Sequence, residues 1–253
     1  MRKTAVITGG TSGIGKCAVE RLVADGWFVW SLSRSEKSLQ EQKAALNAGD
    51  RYDYAVCDVS DPKSVVQAFG RIKARTDSIS TLICSAGANI SGLLEEMTPD
   101  EADVLIGVNF KGPWLCVREA LPLLRKDATQ ADPARVIILG SIGGMRPKAG
   151  AGMYSATKAA VHVLTGILAV ELAPSGITVN SVAPGTTRTP MFEAVQKAAK
   201  KGFGLSGASP LGRIAEADDA VDVIEFFLSD AAKYVNGAVL PVDGGTRAAF
   251  VKT

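Results

Sequence analysis

Short apolar runs alternate along the chain with longer segments in which apolar residues recur at helical spacing. Seven runs have the length and composition of strands. They cover residues 4–8, 27–33, 54–60, 81–87, 135–141, 177–185 and 238–245. The intervening periodicity predicts helices over 15–26, from Asp61-Pro62 to Arg75, over about 99–126, from the Tyr154/Lys158 region through Leu172, and over 216–229.

Strands that are apolar almost throughout and alternate with helices are typical of a parallel sheet covered on both faces. We therefore predict an α/β fold, a single-domain doubly wound parallel sheet (Rossmann fold) over residues 1–253, since no linker divides the chain. Ligands of such sheets bind at the carboxyl ends of the strands. Residues 186–216 are expected to form a substrate-binding lid within the domain.

Composition narrows the functional classes. The chain has 253 residues, 47% apolar and 21% charged, and a net charge of +2 with scattered basic residues. This balance predicts no nucleic-acid partner and no membrane association, and no apolar run reaches the roughly 18 residues of a membrane span. Four widely spaced cysteines without metal-ligand spacing predict reduced thiols, a cytoplasmic protein and no metal site: Cys17, Cys57, Cys84 and Cys116.

A glycine-rich turn, TGGTSGIG at residues 8–15, follows the first predicted strand and opens the first helix. Glycines let a backbone approach phosphates, and the start of a helix supplies free N–H groups. The spacing is GxxxGxG, which differs from the general dinucleotide fingerprint. The alternative for the turn taken alone, a structural strand-to-helix connection, is the weaker of the two interpretations.

The end of the second strand carries no acidic residue, although an acid there would bind the ribose hydroxyls of NAD. Instead the chain has Ser33 and Arg34, which are suited to a 2′-phosphate. We therefore predict NADP(H) as the cofactor. Asp58, at the end of the third strand, is a candidate acceptor for the adenine amino group, because Ser60 or Asp61 is better placed to cap the following helix.

Tyr154 and Lys158 lie four residues apart on a predicted helix, and so on one helical face. A nearby cation favours the phenolate, so Lys158 is expected to bring the pKa of Tyr154 toward the working pH. Ser141 ends the preceding strand, and the glycine-rich loop after it is long enough to return it to Tyr154. His162, the only histidine, continues the same face and is interpreted as a packed or interface residue.

Together these motifs resemble the short-chain dehydrogenase/reductase family, and the resemblance covers nearly the whole chain. Residues that match the family's motifs are Thr8, Gly9, Gly13, Ile14, Gly15, Asp58, Val59, Asn109, Ser141, Tyr154, Lys158 and the segment from Asn180 to Gly185. The resemblance implies an oxidoreductase that transfers a hydride between a nicotinamide and a carbonyl or secondary alcohol.

The resemblance also implies residue roles. Tyr154 is the general acid/base, Ser141 polarises the carbonyl, and Lys158 binds the nicotinamide ribose and lowers the pKa of the tyrosine. Asn109 kinks its helix and holds a water in a proton relay, and Thr189 contacts the carboxamide. The expected cofactor-binding residues are Gly9, Thr11, Ser12, Gly13, Ile14, Gly15, Ser33, Arg34, Asp58, Val59, Ala86, Gly87, Tyr154, Lys158, Pro184, Gly185, Thr187 and Thr189.

The segment after the fourth strand departs from the family. Cys84-Ser85-Ala86-Gly87 stands where the family has Asn-Asn-Ala-Gly. Backbone contacts to the cofactor are expected to survive, whereas the asparagines' side-chain bonds to neighbouring strands are in question. A non-catalytic cofactor-binding scaffold on the same fold is the alternative that this departure favours, and the presence of Ser141, Tyr154 and Lys158 argues against it.

Substrate identity stays open between a 3-oxoacyl thioester and a small or cyclic ketone or polyol. The segment 209–213 and the VLPVDGG ending resemble 3-oxoacyl carrier-protein reductases. Lys197, Lys200 and Lys201 form a cluster that is either a solvated helix face or a dock for acyl carrier protein or coenzyme A.

The assembly is predicted to be a homotetramer. The helix 155–172 is apolar around much of its circumference, so it needs cover beyond the sheet. The family resemblance implies interfaces on this helix, on the helix near 113–126 and on the final strand.

Overall fold

The computed structural model describes residues 3–198 and 207–248. Within these ranges the chain forms seven strands: β1 (Thr4–Thr8), β2 (Phe28–Ser33), β3 (Tyr52–Val56), β4 (Thr81–Cys84), β5 (Ala134–Leu139), β6 (Ile177–Pro184) and β7 (Val239–Val242). The same ranges hold eight α-helices: α1 (Gly13–Ala24), α2 (Glu36–Leu46), α3 (Pro62–Lys73), α4 (Pro99–Ile106), α5 (Gly112–Leu124), α6 (Gly152–Leu172), α7 (Pro190–Ala198) and α8 (Ala217–Leu228).

The strands form one parallel sheet in the order β3-β2-β1-β4-β5-β6-β7. One face packs against α3, α5 and α6, and the other packs against α1 and α8. The strand order reverses between β1 and β4, which opens a crevice at the carboxyl ends of the strands. The predicted doubly wound parallel sheet is thus confirmed.

Three element predictions were wrong in detail. The third strand is Tyr52–Val56 rather than 54–60, because Asp53 is buried inside it against the Arg75 guanidinium, and the chain leaves the sheet before Asp58. Helix α2 was not predicted. It buries little apolar surface, so its sequence EKSLQEQKAAL shows no clear amphipathic stripe.

The long helix predicted over about 99–126 is divided by a π-helical segment, Gly107–Lys111, between α4 and α5. Insertions of this kind are frequent at functional sites. Asn109, which the family resemblance placed at a helix kink, lies inside this segment and is buried. The π-helical segment was not predicted, because the helical periodicity of the sequence continues on both sides of it.

Among the described residues, one helical stretch, Gly152–Ser175, is long and apolar enough to cross a membrane by length and composition. In the sequence, Lys158, His162 and Glu171 interrupt its apolar run. In the structure this stretch packs against β6, and Lys158 is buried within the protein. One face of this helix is therefore buried against the sheet and carries Lys158.

Candidate active site

The glycine-rich turn joins β1 to α1 and is shaped by close backbone contacts. Gly9 and Gly13 have φ values of +67° and +51°, which favour glycine. A Cβ on Gly9 would lie 2.8 Å from the Ala86 backbone, so the turn also packs tightly on the segment after β4. Ser12 precedes α1 in an extended conformation and makes no side-chain cap bond, which leaves the first amides of the helix for another acceptor. This cradle fits a dinucleotide diphosphate.

The end of β2 is polar and carries no carboxylate. The Thr11 hydroxyl donates to the Ser33 hydroxyl at 2.9 Å, and the exposed Arg34 lines the same cleft. Asp58 accepts hydrogen bonds from the Ser60 backbone and hydroxyl, at 2.9 and 2.6 Å. Of the two predicted caps of α3, Ser60 and Asp61, it is Asp61 whose side chain caps the helix. Asp58 therefore borders the cleft without serving as that cap.

Ser141, Tyr154 and Lys158 converge at the end of β5. The loop from Ile142 to Ala151 folds back, so that the Ser141 side chain hydrogen bonds Tyr154. The Lys158 ammonium donates to the Leu139 carbonyl at 2.7 Å and lies 5.8 Å from the centre of the Tyr154 ring. The structure thus brings together the three side chains that the sequence analysis grouped.

Burial governs the titration of this group. It raises the pKa of Tyr154 above its ordinary value, while the hydrogen bond from Ser141 lowers it. Burial lowers the pKa of Lys158 to about 8. The spacing of the two residues predicts that Lys158 lowers the pKa of Tyr154. The structure differs because removal from water has the larger effect on the phenol, and Ser141 is the group that opposes it.

Asn109 ties the segment after β4 to α6. Its amide nitrogen donates to the Ala88 carbonyl at 2.9 Å and to the Thr157 hydroxyl at 3.2 Å, and its oxygen accepts from the Ala88 N–H at 2.8 Å. The side chain is 1% exposed. Its polar atoms are therefore engaged within the protein, and the water relay that the resemblance implies stays a prediction.

The variant segment after β4 keeps its place in the cleft. The Ala86 N–H donates to the Thr8 hydroxyl at 3.2 Å, which ties this segment to β1 without an asparagine side chain. Cys84 is buried at the end of its strand, and burial raises its pKa to about 12, so this thiol stays neutral. The replacement therefore leaves the loop anchored through Thr8 and Asn109.

The segment after β6 closes the cleft from the other side. A Cβ on Gly13 would lie 3.2 Å from the Thr189 methyl, so this residue reaches the glycine turn. The Thr189 hydroxyl accepts from the Phe192 N–H at 3.2 Å and so supports the start of α7. Lys197 is exposed on α7 and does not line the cleft, and Lys200 and Lys201 lie outside the described residues.

The glycine turn, the ends of β2 and β3, the segments after β4 and β6, and the group of Ser141, Tyr154 and Lys158 border one cleft of about 1070 Å³. Of the predicted site residues, Gly15 and Asn109 do not line it. Gly15 lies under the turn, where a Cβ would meet the Gly9 carbonyl at 2.4 Å. Further residues line the cleft that were not among the predicted site residues: Asn89, Ser91, Arg146, Lys148, Met191, Phe192 and Val195. Their position after β4, β5 and β6 was the available signal.

A family model described as enoyl-(acyl carrier protein) reductase matches residues 9–247. The 3-oxoacyl-[acyl-carrier-protein] reductase FabG of Haemophilus influenzae is 35% identical over 243 residues, covering 96% of this chain and 97% of the relative. Among solved structures, an actinorhodin polyketide ketoreductase variant with NADPH has a TM-score of 0.90 at 26% identity, covering 98% of each chain. A 3-ketoacyl-(acyl-carrier-protein) reductase from Brucella melitensis with NADH has a TM-score of 0.84 at 26% identity, covering 97% of this chain and 98% of that one.

A doubly wound sheet with a glycine cradle and a Ser-Tyr-Lys group at one cleft defines a nicotinamide-dependent oxidoreductase. The chain belongs to the short-chain dehydrogenase/reductase family. It is an enzyme that transfers a hydride between a nicotinamide cofactor and a carbonyl or secondary alcohol.

Proposed function

We propose that the protein is an NADP(H)-dependent ketone reductase in which Ser141, Tyr154 and Lys158 are the catalytic residues. The observation that carries this proposal is their convergence in one cleft with the glycine cradle. Tyr154 donates the proton in the reductive direction, and burial keeps this phenol protonated at neutral pH because it raises the pKa. Ser141 holds the substrate oxygen beside it.

Lys158 has two roles in the proposal. Its buried ammonium lies near the tyrosine ring and would hold the nicotinamide ribose hydroxyls. Because its pKa is lowered only to about 8, the lysine stays largely charged at neutral pH. The bound cofactor supplies the hydride. Gly9, Ser12 and Gly13 would hold its diphosphate, and Thr187 and Thr189 would hold its carboxamide end.

We propose a preference for NADP(H) over NAD(H). Arg34 and Ser33 border the cleft at the end of β2, where an NAD-binding enzyme would use an acid. Arginine binds a phosphate through charge-assisted, bidentate hydrogen bonds. Comparing kcat/KM for NADPH and NADH with one substrate tests this preference, and equal values would refute it.

For the substrate we propose a 3-oxoacyl thioester carried by acyl carrier protein or coenzyme A. The similarity to a FabG protein supports this, as do two cations that line the cleft in the segment after β5, Arg146 and Lys148. The carboxylate among the described lining residues is Asp58, in the segment after β3. The two positive charges favour a phosphate-bearing carrier. NADPH consumption should be faster with acetoacetyl-CoA than with a cyclic ketone panel, and the reverse order would favour a small or cyclic ketone.

The lid is a further part of the proposal. Met191, Phe192 and Val195 of α7 line the cleft, so α7 would cover the bound substrate. Residues 199–206 of the predicted lid, 186–216, lie outside the described residues. Replacing Phe192 by Ala should raise KM for the thioester while leaving KM for NADPH unchanged. An equal effect on both constants would contradict a separate substrate lid.

We also propose a homotetramer in the cytoplasm. Val163, Ile167 and Val170 project from α6 with 65%, 49% and 76% of their surface exposed, an apolar stripe that an isologous interface would cover. Light scattering at micromolar concentration tests the assembly, and a monomeric mass would refute it. The four cysteines are free thiols, which suits a reducing compartment. Cell fractionation tests that location.

A further inference from the structure

His162 extends the line of site residues along α6. It lies four residues beyond Lys158 and eight beyond Tyr154, on the same helical face. The Ser141 N–H donates to Nε2 of His162 at 3.4 Å. Together with the bonds of Tyr154 to the Ser141 side chain and of Lys158 to the Leu139 carbonyl, three side chains of one helix hold the end of β5.

Gly140, which precedes Ser141, and Gly144, three residues after it, leave room for the imidazole of His162. A Cβ on Gly140 would lie 2.4 Å from Nε2 of His162 and 2.8 Å from the Ser181 hydroxyl. A Cβ on Gly144 would lie 2.9 Å from Cε1 of His162, and also 2.7 Å from the backbone of α6. Contacts shorter than 3.0 Å would force a side chain at either position, or the imidazole, to move. The imidazole of His162 therefore fills the space between the loop and α6.

The ring must be neutral to accept this hydrogen bond, since both nitrogens of a charged imidazole are donors. Burial and the charge of Lys158 lower the pKa of His162 to about 4, so Nε2 is available as an acceptor at neutral pH. From the other described elements that pack on it, His162 meets Gly140, Gly144 and the Ser141 backbone, and Ser181 of β6 lies beside Gly140. These groups do not titrate near neutral pH.

We propose that His162 is a positioning residue that fixes the Ser141 backbone, so that the serine hydroxyl stays against Tyr154. The inference rests on the proposed catalytic roles of Ser141 and Tyr154. Ser141 connects the end of β5 to a turn whose first bond runs from the Gly143 N–H to the Ser141 hydroxyl at 3.0 Å. Without an acceptor for its own N–H, Ser141 would lose one of the contacts that set its orientation.

Three variants test the proposal. His162→Leu removes the acceptor and keeps a similar apolar volume, whereas His162→Gln keeps an acceptor at a similar reach from the helix. Thr165→Val is the matched control, because Thr165 is a buried polar residue of the same helix whose hydroxyl donates to the Val161 carbonyl of that helix. Tyr154→Phe reports separately on the proposed function.

We expect His162→Leu to lower kcat by about three- to tenfold, the worth of one hydrogen bond, with KM for NADPH within about twofold of the wild type. His162→Gln should recover most of the rate, and Thr165→Val should keep it. In alcohol oxidation, which needs the Tyr154 phenolate, the rise of rate with pH should move to higher pH in His162→Leu. The reason is that the hydrogen bond from Ser141 lowers the pKa of Tyr154, while Lys158 remains in place.

A wild-type kcat and pH profile in His162→Leu, alongside an inactive Tyr154→Phe, would overturn the role of His162 and leave the proposed function standing. An active Tyr154→Phe would overturn the proposed function itself. If His162→Leu does not fold by circular dichroism, His162→Asn replaces it, because its shorter amide does not reach the position of Nε2. Equal rates for the Asn and Gln variants would then overturn the inference.

Discussion

Replacing Arg34 by Ala should weaken the use of NADPH while sparing NADH. The guanidinium lines the cleft at the end of β2, next to the hydrogen-bonded pair of Thr11 and Ser33. A 2′-phosphate placed there would gain a charge-assisted bond from Arg34 and a hydroxyl contact from Ser33. The variant removes the first and keeps the second, and NADH lacks the phosphate that either would bind.

The exposure of Arg34 determines how much NADPH affinity the Arg34→Ala substitution should remove. A hydrogen bond to a charged group contributes roughly 1.5–3 kcal/mol when it is shielded from water. Arg34 is exposed, so solvent reduces this toward about 1–1.5 kcal/mol. That corresponds to roughly a tenfold change in affinity. The ratio of kcat/KM for NADPH to that for NADH should therefore fall by roughly tenfold, almost entirely through KM for NADPH.

Steady-state kinetics with both cofactors and one ketone measures this ratio. Lys37→Ala is the matched control, because Lys37 carries the same charge, is 86% exposed and lies outside the cleft lining. It should leave the ratio within about twofold, since a solvent-exposed charge outside the cleft is screened by salt. An unchanged ratio in Arg34→Ala, or an equal fall in the Lys37→Ala control, would refute the assignment of Arg34 to the phosphate.

Three further predictions concern stability and assembly. Burial lowers the pKa of Lys158 from 10.5 to about 8, so its charge costs stability at pH 7 and the cost disappears between about pH 8 and 10.5. Lys158→Met should thus melt higher than the wild type at pH 7, with a gap that shrinks as pH rises; a pH-independent gap would contradict this. Asn180→Leu should lower the free energy of unfolding by about 3 kcal/mol in urea titrations. The buried amide donates to the Val235 carbonyl and accepts from the Ala238 N–H, and the variant loses both bonds. A loss below about 1 kcal/mol would contradict this role. Ile167→Asp should lower the solution mass measured by light scattering, and an unchanged tetramer would exclude this face.

The sheet could be predicted because its strands are apolar without interruption. The first strand, Thr4–Thr8, was predicted to the residue, since it is apolar and followed at once by glycines. The third was displaced because Asp53 is a charged residue inside a strand, stabilised by Arg75 from the turn that follows α3. Arg75 is 22 residues away from Asp53 in the chain, so the residues around Asp53 show no sign that its charge is paired.

The catalytic part of the site could be predicted because helical spacing and loop length decide which of its side chains can meet. The spacing of Tyr154 and Lys158 placed them on one face, and the length of the loop after Ser141 allowed its return. The direction of the pKa shift of Tyr154 was not predictable, because it depends on how far the surrounding loop removes the phenol from water. His162 was interpreted as packing, although its nitrogen accepts a bond from Ser141, because a sequence does not show what meets a helix face.

Single-turnover consumption of NADPH by Tyr154→Phe tests the central claim most directly. The substitution removes the hydroxyl that bonds Ser141 and keeps the ring that packs beside Lys158. NADPH binding and the melting temperature should stay near those of the wild type, while the rate of the chemical step should fall by at least about 10²-fold. A near-normal rate in a folded, NADPH-binding variant would contradict proton transfer by Tyr154.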